Sequence, residues 1–412
     1  MDLSYTQDEE RFAHELREWL EANVEFPPEN LSLSEEIAWH RRWQARLAEA
    51  RWVAIGWPES YGGRGASPVQ VAIYNTEYAR AGAPQLVNRI GINLAGPTLL
   101  AYGTKEQASR WLSKILTAEE LWCQLFSEPG AGSDLASLST KARKVDGGWE
   151  LTGQKVWTSY AQFADWGICL ARSDPDAPKH KGLSFFVVDM RQAGIEVRPL
   201  IQITGEAEFN EVFLDRVFVQ DDCLIGDPGE GWKVATTTLA HERGTNPRQL
   251  VIHMQLLEEL LHLASEQQAF DDWHLSQRLA QAYVEVRLFQ LHNWRSLSRL
   301  ARGEPPGPEG SLLKLYWSEM SKRLHSTAMA ILDLDGSSAL WGHSRDLKAG
   351  DSTSDAWQRS WLYYQAASIF AGTNEIQRNV IGERVLGLPR EAPVPQANAT
   401  GAEQSKKGAA RR

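Results

Sequence analysis

The glycine-rich stretch LFSEPGAGSD, Leu125 to Asp134, is the first place along the chain where residue types and spacing could do chemistry. A turn built from Pro129, Gly130, Ala131 and Gly132 lets backbone N–H groups come close to a ligand, with the hydroxyls of Ser127 and Ser133 beside it. An ordinary surface turn has the same composition. Downstream, KVWTS (Lys155 to Ser159) reads as a strand whose alternation puts Trp157 and Ser159 on one face, an aromatic plane next to a hydroxyl. The plain reading is one more core tryptophan among 17. Further on, Glu242-Arg243 sits in GWKVATTTLAHERGTNP. A carboxylate there could take a proton from carbon if an apolar pocket raised its pKa, although a Glu-Arg pair on a helix is by itself usually a solvated face. Close to the C-terminus, IFAGTNEIQRNVIGERVLGLPR places Ala371 directly before Gly372-Thr373.

The elements that must position these residues follow from periodicity. Up to residue 118 the chain reads as helices. Thr6 with Glu9, and Ser32 with Glu35, have capping-box spacing, and Phe12, Leu16, Trp19 and Leu20 then line one helical face. GWPESYGGRGAS (56–67) breaks the pattern as a loop. From 119 to 227 the character is β: an Asp146-Gly147 turn separates strand-like runs, and GLSFFVVDM and EFNEVFLDRVFVQ are rich in β-branched and aromatic residues. Helical periodicity returns over 228–390 in long segments that predict an antiparallel four-helix bundle, in which Pro247 should kink or end the helix carrying Glu242. The expected architecture is α+β and multidomain: an N-terminal all-α domain, a middle β-barrel or sandwich domain and a C-terminal bundle. A tail at 391–412, small, polar and Pro-containing, is expected to be disordered.

Five motifs, GWPESYGGRG, LFSEPGAGSD, GQKVWTSYA, EGW and AGTNEIQRNVIGERVLG, fall in the order and approximate spacing of the acyl-CoA dehydrogenase family, and the chain resembles that family from Thr6 to Pro389. The resemblance implies FAD-dependent α,β-dehydrogenation of an acyl-CoA thioester, with electrons passing to an electron-transfer flavoprotein or similar acceptor. It implies flavin contacts at Phe126, Ser127, Gly132, Ser133, Trp157 and Ser159, with Ser133 also reaching the thioester ligand. Most relatives carry the catalytic Glu immediately before the Gly-Thr, where this chain has Ala371. A minority carry it on an earlier helix, which corresponds to Glu242, with Arg243 beside the substrate. Gln277, Gly336, Thr373 and Glu375 match further flavin contacts. The arginine that normally precedes the glutamine by eleven residues is replaced here by Glu266, and a carboxylate facing a pyrophosphate repels it. That mixture resembles subunits of bacterial heterotetrameric enzymes acting on branched or steroid side-chain thioesters, in which the partner subunit completes the cofactor site. A homotetramer remains open, as do a flavin oxidase or monooxygenase on the same scaffold and a non-catalytic partner subunit.

Composition narrows the remaining classes. Forty-three basic against 53 acidic residues in 412 give a formal net charge of -10, which argues against nucleic acid as a partner. No apolar run nears the roughly 20 residues of a membrane span, and the charged N-terminus lacks a secretory pattern, so a cytoplasmic protein is expected. Cys123, Cys169 and Cys223 lie far apart, without metal or redox spacing, and are expected to be buried thiols. No metal cluster, Ser/His/Asp triad or P-loop competes with these readings.

Overall fold

In a computed structural model of the 412-residue chain, residues 5–28, 31–242, 247–304, 307–333 and 354–390 are described. Arg243, Gly336 and the tail from 391 lie outside the described residues.

The first helices start where capping boxes place them. Thr6 and Ser32 cap α1 (Gln7–Asn23) and α2 (Leu33–Glu49), and each reciprocal Glu side chain returns to the cap backbone. Ser67 caps α3 (Pro68–Arg80), with proline at the first helical position, where its missing N–H costs nothing. A π-turn, Gly91–Ala95, leads into α4 (Gly96–Tyr102), and α5 (Lys105–Thr117) follows behind its own capping box.

Eight strands succeed them: β1 (Trp122–Leu125), β2 (Lys141–Val145), β3 (Gly148–Ser159), β4 (Trp166–Arg172), β5 (Leu183–Asp189), β6 (Ile195–Leu200), β7 (Phe209–Gln220) and β8 (Leu224–Ile225). The Asp146-Gly147 turn joins β2 to β3 as expected, with Gly147 at φ +70. The pairing order is β6-β7-β3-β2-β4-β5-β8, with β1 alongside β4. Two halves are thereby joined through one residue pair, Lys141 with Arg172.

A buried ion pair closes the gap between those halves. Lys155, on β3 and 0% exposed, donates to Glu128 Oε1 at 2.9 Å, to the Leu170 carbonyl on β4 at 2.8 Å and to the Phe126 carbonyl at 3.1 Å. All three ammonium protons are used. Glu128 also accepts from the Ser139 and Thr140 backbone N–H groups, at 2.6 and 2.9 Å, and from the Ser139 hydroxyl at 2.7 Å. Burial alone would raise this carboxyl, but Lys155 and the Thr140 and Ser139 donors outweigh it and hold it at about 2.

The C-terminal helices are α6 (Gly231–Glu242), α7 (Pro247–Glu266), α8 (Trp273–Ala301), α9 (Gly310–Ile331), α10 (Ser354–Gln365) and α11 (Asn374–Val380). Pro247 opens α7, consistent with α6 ending before it. One hydrophobic core runs from α1 through the sheet to Val234 and Ala235 on α6, and a second, from Leu250 to Trp357, fills the bundle. All three cysteines are buried and free.

The bundle core holds two fully buried histidines. His253 Nδ1 donates to the Gln249 carbonyl at 2.7 Å, leaving Nε2 to accept from Ser321 Oγ at 2.6 Å; His325 Nδ1 donates to the Ser321 carbonyl at 2.7 Å. Burial pushes His253 down to about 4 and His325 down to about 3, so both are neutral in the fold.

Two predictions follow from these buried groups. The unfolded chain takes up protons at both histidines near 6.5 while the fold refuses them, so their contribution is complete above that pH and is lost as pH falls toward about 4 and about 3. The urea midpoint should therefore drop between pH 7 and pH 4.5, and a His253→Gln/His325→Gln variant should show a shallower drop. Glu128→Gln strands the Lys155 charge and should destabilise the protein by about 3–5 kcal/mol in denaturant titration, whereas Glu128→Gln with Lys155→Met should recover most of that loss.

Candidate functional site

The segment after β1 folds back on itself before it can meet anything else. Glu128 and Ala131 exchange backbone hydrogen bonds of 3.1 and 3.0 Å, so Pro129-Gly130 forms the tip of a tight turn. On its inner side the turn is tied to the strands: the Val156 N–H donates to the Ser127 carbonyl at 2.9 Å, and Lys155 holds the carbonyl of Phe126. Phe126 is buried edge-on to Phe185, with ring centroids 5.7 Å apart, and anchors the segment in the core. The outer side is open. A Cβ added at Gly130 or Gly132 would meet nothing within 4 Å, and among the described residues the N–H groups of Gly132 and Ser133 have no hydrogen-bond partner.

Beside this loop β3 departs from the expected alternation. Between Lys155 and Thr158 it gains one residue over β7, a bulge, and Trp157 sits there at φ +61. Strict alternation would put Lys155, Trp157 and Ser159 on one face. Instead Lys155 and Thr158 are buried while the Trp157 indole is 61% exposed, packed edge-on against Phe209 at 6.0 Å. The bulge is braced from β7 by Asn210, whose amide donates to the Thr158 carbonyl at 3.0 Å. A non-glycine residue in the left-handed region costs energy, so this exposed indole is held out by its surroundings. Ser159, half-buried at the strand end, pairs with Phe209.

Four of the expected residues, Phe126, Ser127, Gly132 and Ser133, thus share one loop, and its bonds to β3 bring Trp157 and Ser159 alongside. A flat aromatic ligand with polar edges fits this arrangement, with an indole face on one side and free backbone donors on the other.

The α6 helix is placed by contact at both ends of its first two turns. Gly231 lies so near β5 that a Cβ there would come 2.5 Å from the Ser184 carbonyl carbon. One turn on, Val234 and Ala235 enter the core, and Thr238 meets Thr98 of α4, with the two hydroxyl oxygens 2.7 Å apart. Glu242 is the last described residue of this helix, one turn beyond Thr238.

The remaining expected contacts gather on the C-terminal helices. Thr373 caps α11, its hydroxyl accepting from the Ile376 N–H at 3.3 Å. Asn374, 2% exposed, pins that cap to α9 through Lys314 and Ser318, both donating at 3.0 Å, and by donating to Glu319 at 2.6 Å. Glu375 is exposed in the first turn of α11, near Arg378. Ala371 and Gly372, with φ of +53 and +84, turn both carbonyls to the Gln377 amide, at 3.2 and 3.0 Å. Gln277 is exposed on α8. Glu266, where an arginine was expected, closes α7 with its carboxylate 3.5 Å from His262.

Sequence reasoning passed over Glu128, Lys155, Thr98 and Thr238. Lys155 carried a signal: by its own alternation it stood on the face of Trp157, where a lysine beside a ligand-facing indole needs an explanation.

Comparison with known proteins gives this geometry its family. Residues 6–119 match the acyl-CoA dehydrogenase N-terminal domain, residues 123–217 the middle domain and residues 229–386 the C-terminal domain. Acyl-CoA dehydrogenase IpdE1 of Mycobacterium tuberculosis (strain ATCC 25618 / H37Rv) is 41% identical over 397 residues, covering 94% of this chain and 99% of the relative. Among solved structures, the ChsE4-ChsE5 complex from Mycobacterium tuberculosis superposes with a TM-score of 0.76 at 29% identity, covering 95% of this chain and 100% of that one. The Tcur3481-Tcur3483 steroid ACAD gives a TM-score of 0.77 at 27% identity, with the same two coverages of 95% and 100%. The chain belongs to the acyl-CoA dehydrogenase family and is an oxidoreductase of the class that acts on acyl-CoA.

Proposed function

We propose that the chain binds FAD between the Ser127–Ser133 loop and Trp157 and removes the α-proton of an acyl-CoA thioester with Glu242. The observation that carries this reading is positional. Ala371 leaves no carboxylate ahead of Gly372, while α6, fixed against β5 and α4, ends at Glu242. When bound, FAD supplies the acceptor for the β-hydrogen, which leaves as hydride. Trp157 would cover one ring face, the hydroxyl of Ser159 and the backbone donors at Gly132 and Ser133 would meet its polar edges, and Thr373 and Glu375 would serve its adenine side. A carboxylate in an apolar, water-poor pocket has its pKa raised toward the range where it can accept a proton from carbon, and that is what this role asks of Glu242.

The substrate class that best fits the relatives is a CoA thioester of a branched or steroid side chain, since a superposable complex is titled a steroid ACAD. The assembly that best fits is a tetramer. Glu266 in the place of an arginine favours a heteromeric one, in which a partner chain supplies the cation opposite the FAD pyrophosphate. The same observation supports a second reading, in which this chain only completes a partner's site.

Anaerobic titration with butyryl-, octanoyl-, isobutyryl- and a steroid-propionyl-CoA, of the chain alone and with its neighbouring gene product, separates the two. The dehydrogenase reading expects flavin bleaching by at least one thioester, and a Glu242→Gln variant that retains flavin but bleaches at least about a thousandfold more slowly. No bleaching of the chain alone, with bleaching of the complex unchanged by Glu242→Gln, would leave only the partner-subunit reading.

A further inference from the structure

We infer that two hydroxyl pairs, Thr98 with Thr238 and Tyr102 with Thr237, are positioning residues that set where α6 presents its last turn, and with it the base. The inference rests on the assignment of Glu242 as that base.

Both pairs cross from α4 to α6. Thr98 and Thr238 are buried, at 1% and 0% exposure, with hydroxyl oxygens 2.7 Å apart. Thr98 Oγ lies 2.7 Å from the Leu94 carbonyl and Thr238 Oγ 3.0 Å from the Val234 carbonyl, so one of the two hydroxyls donates across the pair while the other donates to its own helix. At the adjacent position, Thr237 Oγ lies 2.8 Å from the Tyr102 hydroxyl and donates to the Lys233 carbonyl at 3.2 Å, which makes Tyr102 the donor of that pair. The Leu94 carbonyl belongs to the π-turn at Gly91–Ala95, a local widening of the helix that commonly marks functional sites.

The mechanical argument concerns which end of α6 is fixed by what. Its N-terminus is set by backbone contact at Gly231 against β5, and the Gly229 N–H reaches the Ser184 hydroxyl at 2.9 Å. Its second turn is held laterally by apolar packing of Val234 and Ala235, which resists separation but tolerates sliding and rotation. Directional bonds remove that freedom. The two hydroxyl pairs sit at adjacent positions, 237 and 238, so together they fix both the rotation of α6 and its height against α4. Glu242 follows one turn later, at a distance where a small rotation at 238 moves the end of the helix by a large fraction of an ångström. A buried hydroxyl needs a partner, and valine in these places keeps the shape while removing it.

The test uses Thr98→Val and Thr238→Val, with Thr238→Ser as the conservative control and Tyr102→Phe as a milder variant on the half-buried pair. Two readouts are taken on the FAD-loaded protein, with its partner chain where one is required. Without ligand, amide hydrogen exchange over 236–242 should speed up about tenfold in the valine variants, the size of one net hydrogen bond, and remain as in wild type for Thr238→Ser. With the four thioesters named above, deuterium uptake at the α-carbon from D2O should slow by at least about tenfold in the valine variants, with KM within about threefold and recovery in Thr238→Ser. Unchanged amide exchange overturns the inference, and so does faster amide exchange with undiminished α-deuterium uptake. If Glu242→Gln takes up α-deuterium as fast as wild type, the base assignment has failed instead, and the amide-exchange arm alone decides whether the pairs hold the helix.

Discussion

Lys155 and Glu128 form the interaction on which the rest of the site depends. Two ionised groups taken out of water cost far more than their mutual attraction returns unless every remaining proton and lone pair finds a partner. Here they do: the ammonium reaches carbonyls on the loop and on β4, and the carboxylate collects backbone donors from 139 and 140. Because those partners belong to the 126–133 loop, to β2's approach and to β4, satisfying one buried charge fixes three chain segments against β3. That is how a glycine-containing loop with an open outer surface can still hold its donors in one place.

The bulge at Trp157 is a consequence of the same constraint. Lys155 has to point inward to reach Glu128, so regular pleating would turn Trp157 inward as well. One inserted residue with a left-handed backbone breaks the count, and the indole emerges exposed. Charge satisfaction in the core and exposure of an aromatic plane two residues later are thus coupled by strand geometry. A similar logic holds on α11, where buried Asn374 links Lys314, Ser318 and Glu319 of α9 and fixes the cap at Thr373.

A different kind of constraint governs α6. It belongs by sequence to the C-terminal helices, yet its buried residues Val234 and Ala235 join the core of the N-terminal helices and the sheet, and the bundle has its own core beginning at Leu250. The proposed base at Glu242 thus belongs to a helix whose described buried residues pack in the first core.

Much of the architecture was legible in the residues. Capping boxes at Thr6 and Ser32, the glycine turn at 147, the β-branched and aromatic runs of β5 and β7 and the proline at 247 are local signals, each depending on a few neighbouring atoms, and local structure follows them. The motif residues of the loop and of β3 were legible for the same reason. Tertiary structure decided what depends on distant partners: that Lys155 buries its charge against Glu128, 27 residues away, that Trp157 leaves the expected face, and that Thr98 and Thr238, 140 residues apart, share a proton. A hydrogen bond's value is set by whether water can replace it, and burial is a property of the packed molecule, so no spacing along the chain announces which threonine or lysine will be shut away from solvent.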